Sequence, residues 1–380
     1  MTTTAFDLGR RLRAARDGQP VPTSRSAPAL PPTSPIAVDL HTEGRRLVAT
    51  ASDGATTAQA YEEDIIDVLE SLGVVLTLTY RTLIVPNRST LHTLEELARA
   101  KARDHRGNET AAVLGWWADR AEHPGSGAVL ILQETLPARW TLGVHPDRER
   151  DLTVWARWLG VTTTGTEMLL DLAAAVTASP TRDGLLTAHS RDDASWQWLE
   201  KRRQSWHLPD SRAQAALGLV SRCDAAELYE SIALDDSLVA HRASFSGEAI
   251  TGTVTTTQPL TIRADRLAIR LRQGAHVDTW PGEAWQPATT TLRGRITDST
   301  VNVAGELHLT IGETSRLRVP AVGERLTLRP RRVNPHQQGA ALRRRRRRHN
   351  AAQNWLATRD CPPPLRRNVP LDIAIATADA

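Results

Sequence analysis

The densest run of chemistry-bearing side chains is a block of six consecutive arginines, Arg343, Arg344, Arg345, Arg346, Arg347 and Arg348. Arg329, Arg331 and Arg332 precede it, and Trp355 follows. A guanidinium is charged at every physiological pH, and its planar fork of donors matches two phosphate oxygens at once, so such a run is suited to a polyphosphate chain. It cannot bury itself. Like charges three or four residues apart repel, costing a helix about a few tenths of a kcal/mol per pair, so the run is expected to stay loose until a polyanion neutralises it. If it becomes helical, Trp355 falls seven residues beyond Arg348, two turns along nearly the same face, which sets an indole beside the guanidinium row.

From Arg343 to Trp355 the arrangement resembles the short arginine-rich RNA-binding peptides. The resemblance implies arginines on a hairpin backbone and one aromatic ring stacked on a loop base. A second basic set precedes it. If Leu267, Ile269 and Leu271 face a core, Arg266, Arg270 and Arg272 line the opposite face of that strand, and Arg293 and Arg295 do the same on another. Between Ala243 and Thr314, however, six arginines meet seven acids, so a solvated face crossed by ion pairs competes with a phosphate-binding ladder. The chain also has 45 arginines and only two lysines, Lys101 and Lys201, so coding bias accounts for part of its arginine content.

Other chemistries lack their residues. A phosphate-binding loop needs Gly-Lys-Ser or Gly-Lys-Thr, but Ala100 and Glu200 precede the two lysines. A Glu-x-Lys nuclease pattern fails because Arg99 and Leu199 stand where the carboxylate would be. HExxH, GxSxG and GxGxxG are absent. Generic carboxylates remain: Glu62, Glu63, Asp64 and Asp67, and Asp192 and Asp193 near His189, either group a candidate for a divalent ion. Acids at a helix start are also explained by the helix dipole, and His145-Pro146-Asp147 by a turn and cap. No catalytic residue, metal ligand or cofactor is assigned.

Charge is divided unevenly along the chain. From Arg316 onward 15 arginines face four acids, a balance of +11, whereas the whole chain carries +4, so residues 1–315 are at −7. An acidic body with a basic end fits a polyanion-binding segment, or one that folds back on its own body. Cys223 and Cys361 are too far apart in sequence for a CxxC pair or a disulfide framework, and no stretch has the apolar length of a membrane span, so a cytoplasmic protein without a membrane partner is expected. Residues 1–36, with their proline-rich run, read as a flexible leader; a transit peptide is the rival reading.

The elements that must position these residues suggest a multi-domain α+β chain. Residues 37–145 alternate helix and strand signals in the manner of an α/β or α+β domain. These are a helix over Thr57–Leu72, a strand over Val74–Val85, helices around Leu91–Leu97 and Thr110–Glu122, and a buried strand over Ala128–Gln133. Residues 146–241 read as a helical domain whose Trp196, Trp198 and Trp206 are expected in its core. Residues 243–333 carry short alternating runs typical of a small β-barrel or sandwich, and 334–380 form the arginine-rich extension. The sequence therefore points to a nucleic-acid-binding accessory protein or subunit of a nucleoprotein complex, taking RNA or DNA on its basic end and protein partners on its acidic body. Two alternatives stand beside it: an assembly subunit whose basic tail binds acidic protein surfaces or packages nucleic acid without selectivity, and a metal-dependent enzyme using the N-terminal carboxylates.

Overall fold

The computed structural model describes residues 5–104, 108–179, 183–202, 212–286, 289–316, 318 and 320–350. Within them the chain is mixed α+β, with eleven α-helices and a closed six-stranded barrel. It divides into two compact units: residues 1–207 with 225–334, and residues 208–224 with 335–380.

Helix α1 (Ala5–Asp17) leads into the two-residue strand β1 (Val21–Pro22). Strands β2 (Ile36–Glu43), β3 (Arg46–Ser52) and β4 (Thr57–Tyr61) then run antiparallel. The β2–β3 loop is Gly44-Arg45, and Gly44 takes φ +63°, the left-handed conformation that tight two-residue hairpins demand. After α2 (Ile65–Ser71), β5 (Leu83–Val85) joins β2 in parallel. Helices α3 (Arg88–Asp104) and α4 (Glu109–Ala121) cross over to β6 (Val129–Ile131), parallel to β5. The sheet order is β4-β3-β2-β5-β6. Then come α5 (Leu132–Arg139), β7 (Trp140–Thr141) paired with β1, α6 (Leu152–Leu159), α7 (Gly165–Thr177) and α8 (Asp183–Arg202).

Period-two alternation splits this sheet between two cores. Ile36, Val38, Leu83, Val85, Val129 and Ile131 face a core shared with Leu69, Leu94, Leu114 and Trp117, while Ala37, Ile84 and Leu130 face one shared with Leu136, Trp155, Leu169 and Leu172. Both faces are covered, which is why β5 and β6 read as unbroken apolar runs. Three helices after residue 146 therefore share their cores with the sheet: α6 and α7 close one face, and Trp196 and Leu199 of α8 join the other. Trp198, on the far side of α8, is 54% exposed, and Trp206 lies outside the described residues.

Residues 5–36 are held rather than loose. Arg11 grips the buried Glu149 at 2.6 Å, and Asp236 accepts from the Ser24 hydroxyl at 3.1 Å and the Arg25 amide. Ala14 is fully buried. A Cβ on Gly143 would stand 2.3 Å from the Ala15 amide nitrogen, so α1 approaches that strand end only because no side chain is there.

Two expected elements differ. Thr57–Tyr61, read as the start of a helix, is β4, because its backbone completes the ladder with β3. Of Val74–Val85 only Leu83–Val85 is strand; in the preceding loop the carbonyls of Thr77, Tyr80 and Arg81 accept from Trp196, Thr33 and Trp117 side chains, which satisfies the backbone without a partner strand.

Helices α9 (Arg212–Ala233) and α10 (Ser237–Ser246) precede the barrel strands β8 (Ile250–Thr257), β9 (Leu260–Ala264), β10 (His276–Pro281), β11 (Leu292–Val301), β12 (Leu307–Arg316) and β13 (Arg325–Pro330). All pairings are antiparallel and close in the order β10-β11-β12-β9-β8-β13 around Ile250, Ile262, Val277, Ile296, Leu309 and Leu328. The alternating run Arg266–Arg272 is not one of these strands. It is the loop between β9 and β10, held by the Arg270 amide donating to the Gly247 carbonyl at 2.8 Å and by Leu271 dropping into the barrel core, while Leu267 is exposed. The chain then enters α11 (Pro335–Asn350).

Candidate nucleic-acid interface

The arginines singled out in the sequence fall into two groups. Those of the barrel are engaged. On β13, Arg329 is 3% exposed, lies over the Trp280 ring and pairs with Asp235. Arg332 reaches the same carboxylate at 3.4 Å, and Arg331 approaches the buried Asp278 at 3.9 Å. In the β9–β10 loop Arg270 pairs with Glu248, and Arg266 donates to the Ser244 carbonyl at 2.6 Å. On β11 the outward Arg293 and Arg295 meet Asp278 and Glu313 at 3.6 and 3.4 Å. Arg266 and Arg272 aside, the ladder of cations is a set of internal ion pairs. A carboxylate beside such a guanidinium offsets its charge, so the pair presents less net positive potential to a polyanion than a lone arginine does. Arg272 differs: it is exposed, with no ion pair among the described residues.

The second group is the run on α11. The expectation of a loose segment is replaced by a helix that contains all six arginines. Three local causes offset the repulsion. Pro335 stands at the first helical position, the following Gln337, Gln338, Ala340, Ala341 and Leu342 are good helix formers, and the cations lie in the half of the helix where its dipole is negative. Arg343, Arg344 and Arg345 are exposed and make no ion pair among the described residues, whereas Gly339 to Leu342 are half-buried. The side chains of Arg346, Arg347 and Arg348, and Trp355 altogether, lie outside the described residues.

No family model, curated protein or solved structure matches the chain.

Of the carboxylates read as alternatives, the Glu63 side chain lies outside the described residues. Among the described residues no group of three His, Cys, Asp or Glu side chains is placed to hold a metal ion. Asp67 is taken by Lys101 at 2.9 Å. His189 accepts or donates at 2.7 Å to the Tyr80 hydroxyl and lies 3.6 Å from Asp193. Asp192 is 1% exposed and accepts from the Ser126 hydroxyl and the Gly127 amide at 3.0 and 3.1 Å. Burial pushes its pKa up to about 6, outweighing the pull of Arg120 at 3.7 Å. These groups tie α8 to the sheet. Sequence spacing could not have paired Arg120 with Asp192, since their meeting depends on α8 packing against α4. Among the described residues no helix is long and apolar enough to cross a membrane.

Proposed function

We propose that the protein is a nucleic-acid-binding accessory protein or subunit of a nucleoprotein complex that grips the phosphate backbone with α11. The observation that carries this reading is the contrast between the exposed guanidiniums of Arg343–Arg345, which make no ion pair among the described residues, and the ion-paired arginines of the barrel. Charge density supports it: consecutive arginines on a helix place one positive charge per about 1.5 Å of axis, close to the one negative charge per about 1.7 Å of duplex. At about 100° per residue Arg343, Arg344 and Arg345 spread over roughly 200° of the helix, which suits a groove with phosphates on both walls better than a flat surface.

The test is binding of single- and double-stranded RNA and DNA to the full chain and to a triple Arg343→Ala, Arg344→Ala, Arg345→Ala variant. The reading expects the variant to lose at least about tenfold in affinity at moderate salt, as about three lost phosphate contacts imply. Equal binding by the two proteins would remove α11 from the account. Binding to an acidic protein surface in place of any nucleic acid would favour the assembly-subunit alternative.

A further inference from the structure

Four aromatic rings converge on the surface of the larger unit, far in sequence from the arginine run. Phe6 of α1 stacks on Phe245 of α10 at 4.8 Å between centroids, with an interplanar angle of 28°. His241 stands edge-on to Phe6, Phe245 and Trp285 at 5.3, 5.2 and 5.3 Å. Trp285 belongs to the loop between β10 and β11, so the cluster is assembled from three separate elements, and it contains both phenylalanines of the chain. Among the described residues Trp117, Trp155, Trp196 and Trp280 are essentially buried. Here Phe245 and Trp285 are left 52% and 54% exposed, which forgoes the burial that ordinarily repays an aromatic ring.

The surroundings are cationic. The Arg10 guanidinium lies over the Phe6 ring at 5.6 Å, and the half-exposed Arg242 stands one residue after His241 with Asp7 at 3.3 Å. Arg266 reaches the carbonyl of Ser244, the residue before Phe245. Burial, followed by the charge of Arg242, lowers the pKa of Arg10, and burial, followed by the charge of Arg10, lowers that of His241. The imidazole Nδ1 is buried without a hydrogen-bond partner. The exposed aliphatic residues of α1, Leu8 and Leu12, fall on a different side of that helix from Phe6 and Arg10 at helical spacing. The patch thus sets exposed aromatic rings beside guanidinium groups, a combination on which unpaired bases stack.

We propose that Phe245 and Trp285, backed by Phe6 and His241, form a stacking platform for the unpaired bases of a single-stranded nucleic acid. The proposal rests on the nucleic-acid reading of α11 and deepens it: the helix holds the phosphate backbone, and the platform adds a preference for unpaired bases.

The test uses the full chain, a short single strand carrying 2-aminopurine, and its duplex. Phe245→Leu and Trp285→Leu keep apolar bulk but remove the π-face. Each is expected to weaken single-strand binding about tenfold, to lower the 2-aminopurine quenching, and to leave duplex affinity and the thermal unfolding midpoint unchanged. Trp285→Phe is expected to retain most of the binding. Single-strand affinity and quenching equal to wild type in both leucine variants would overturn the platform, and a simultaneous loss in the Arg343–Arg345 variant would leave the α11 reading standing. Failure of the wild-type chain to bind either strand would overturn both. A change of oligomeric mass in the leucine variants without a change in strand binding would overturn the platform in favour of a contact between copies of the chain.

Discussion

A single buried carboxyl sets one measurable property. Asp192 holds its proton to about pH 6 in the folded chain, against an ordinary aspartate value of 3.8. Between those values the native state binds more protons than the unfolded state, so the contribution of this group to stability falls as pH rises from about 4 to about 6 and is flat above. Asp192→Asn is expected to remove that decline from a urea midpoint measured across the window; an unchanged decline would assign it to other groups. Arg329 provides a second check at this scale. It lies buried over Trp280 against Asp235, whose side chain keeps 20% exposure, so Arg329→Ala is expected to cost about 3 kcal/mol of stability. Nucleic-acid affinity at temperatures where the variant is folded is expected to stay unchanged, and a selective loss of affinity would restore this arginine to the interface. Residue type alone marked Arg329 and Arg343 alike. Their difference comes from Asp235, 94 residues away from Arg329 in sequence, which no local spacing reveals.

At the scale of elements, periodicity was legible wherever the backbone satisfied itself. The α3 and α4 helices, the β6 strand and the run that carries Arg293 and Arg295 on β11 stand where apolar spacing predicts them. It failed where side chains from elsewhere take over the backbone carbonyls, as in the loop before β5, and where alternation arises from a loop dropping Leu271 into the barrel. The held N-terminal segment was hidden because its anchors, Glu149 and Asp236, are distant. Its tightest approach is testable. Gly143→Ala forces a methyl against the backbone of Ala15, and an overpacking cost of about 1–3 kcal/mol is expected as a lower urea midpoint. An unchanged midpoint would mean that α1 moves aside without penalty.

Over the whole molecule, the division between an acidic body at −7 and a basic end at +11 was plain from the sequence, as was the β-rich composition that closes into a barrel. What charge counting could not separate is neutralised from free charge. The barrel arginines look as basic as those of α11 until their carboxylates are found across strands and loops. Nor could it divide α6, α7 and α8 between the two faces of one sheet, because that assignment depends on packing rather than on helix formation.

The most direct test of the central claim is the salt dependence of duplex binding, read as the slope of log Kobs against log salt concentration. Each phosphate neutralised contributes about −0.9 to that slope. If Arg343, Arg344 and Arg345 are free to meet phosphates, replacing all three with alanine makes the slope shallower by about two to three. A slope indistinguishable from that of the wild-type chain would contradict the claim.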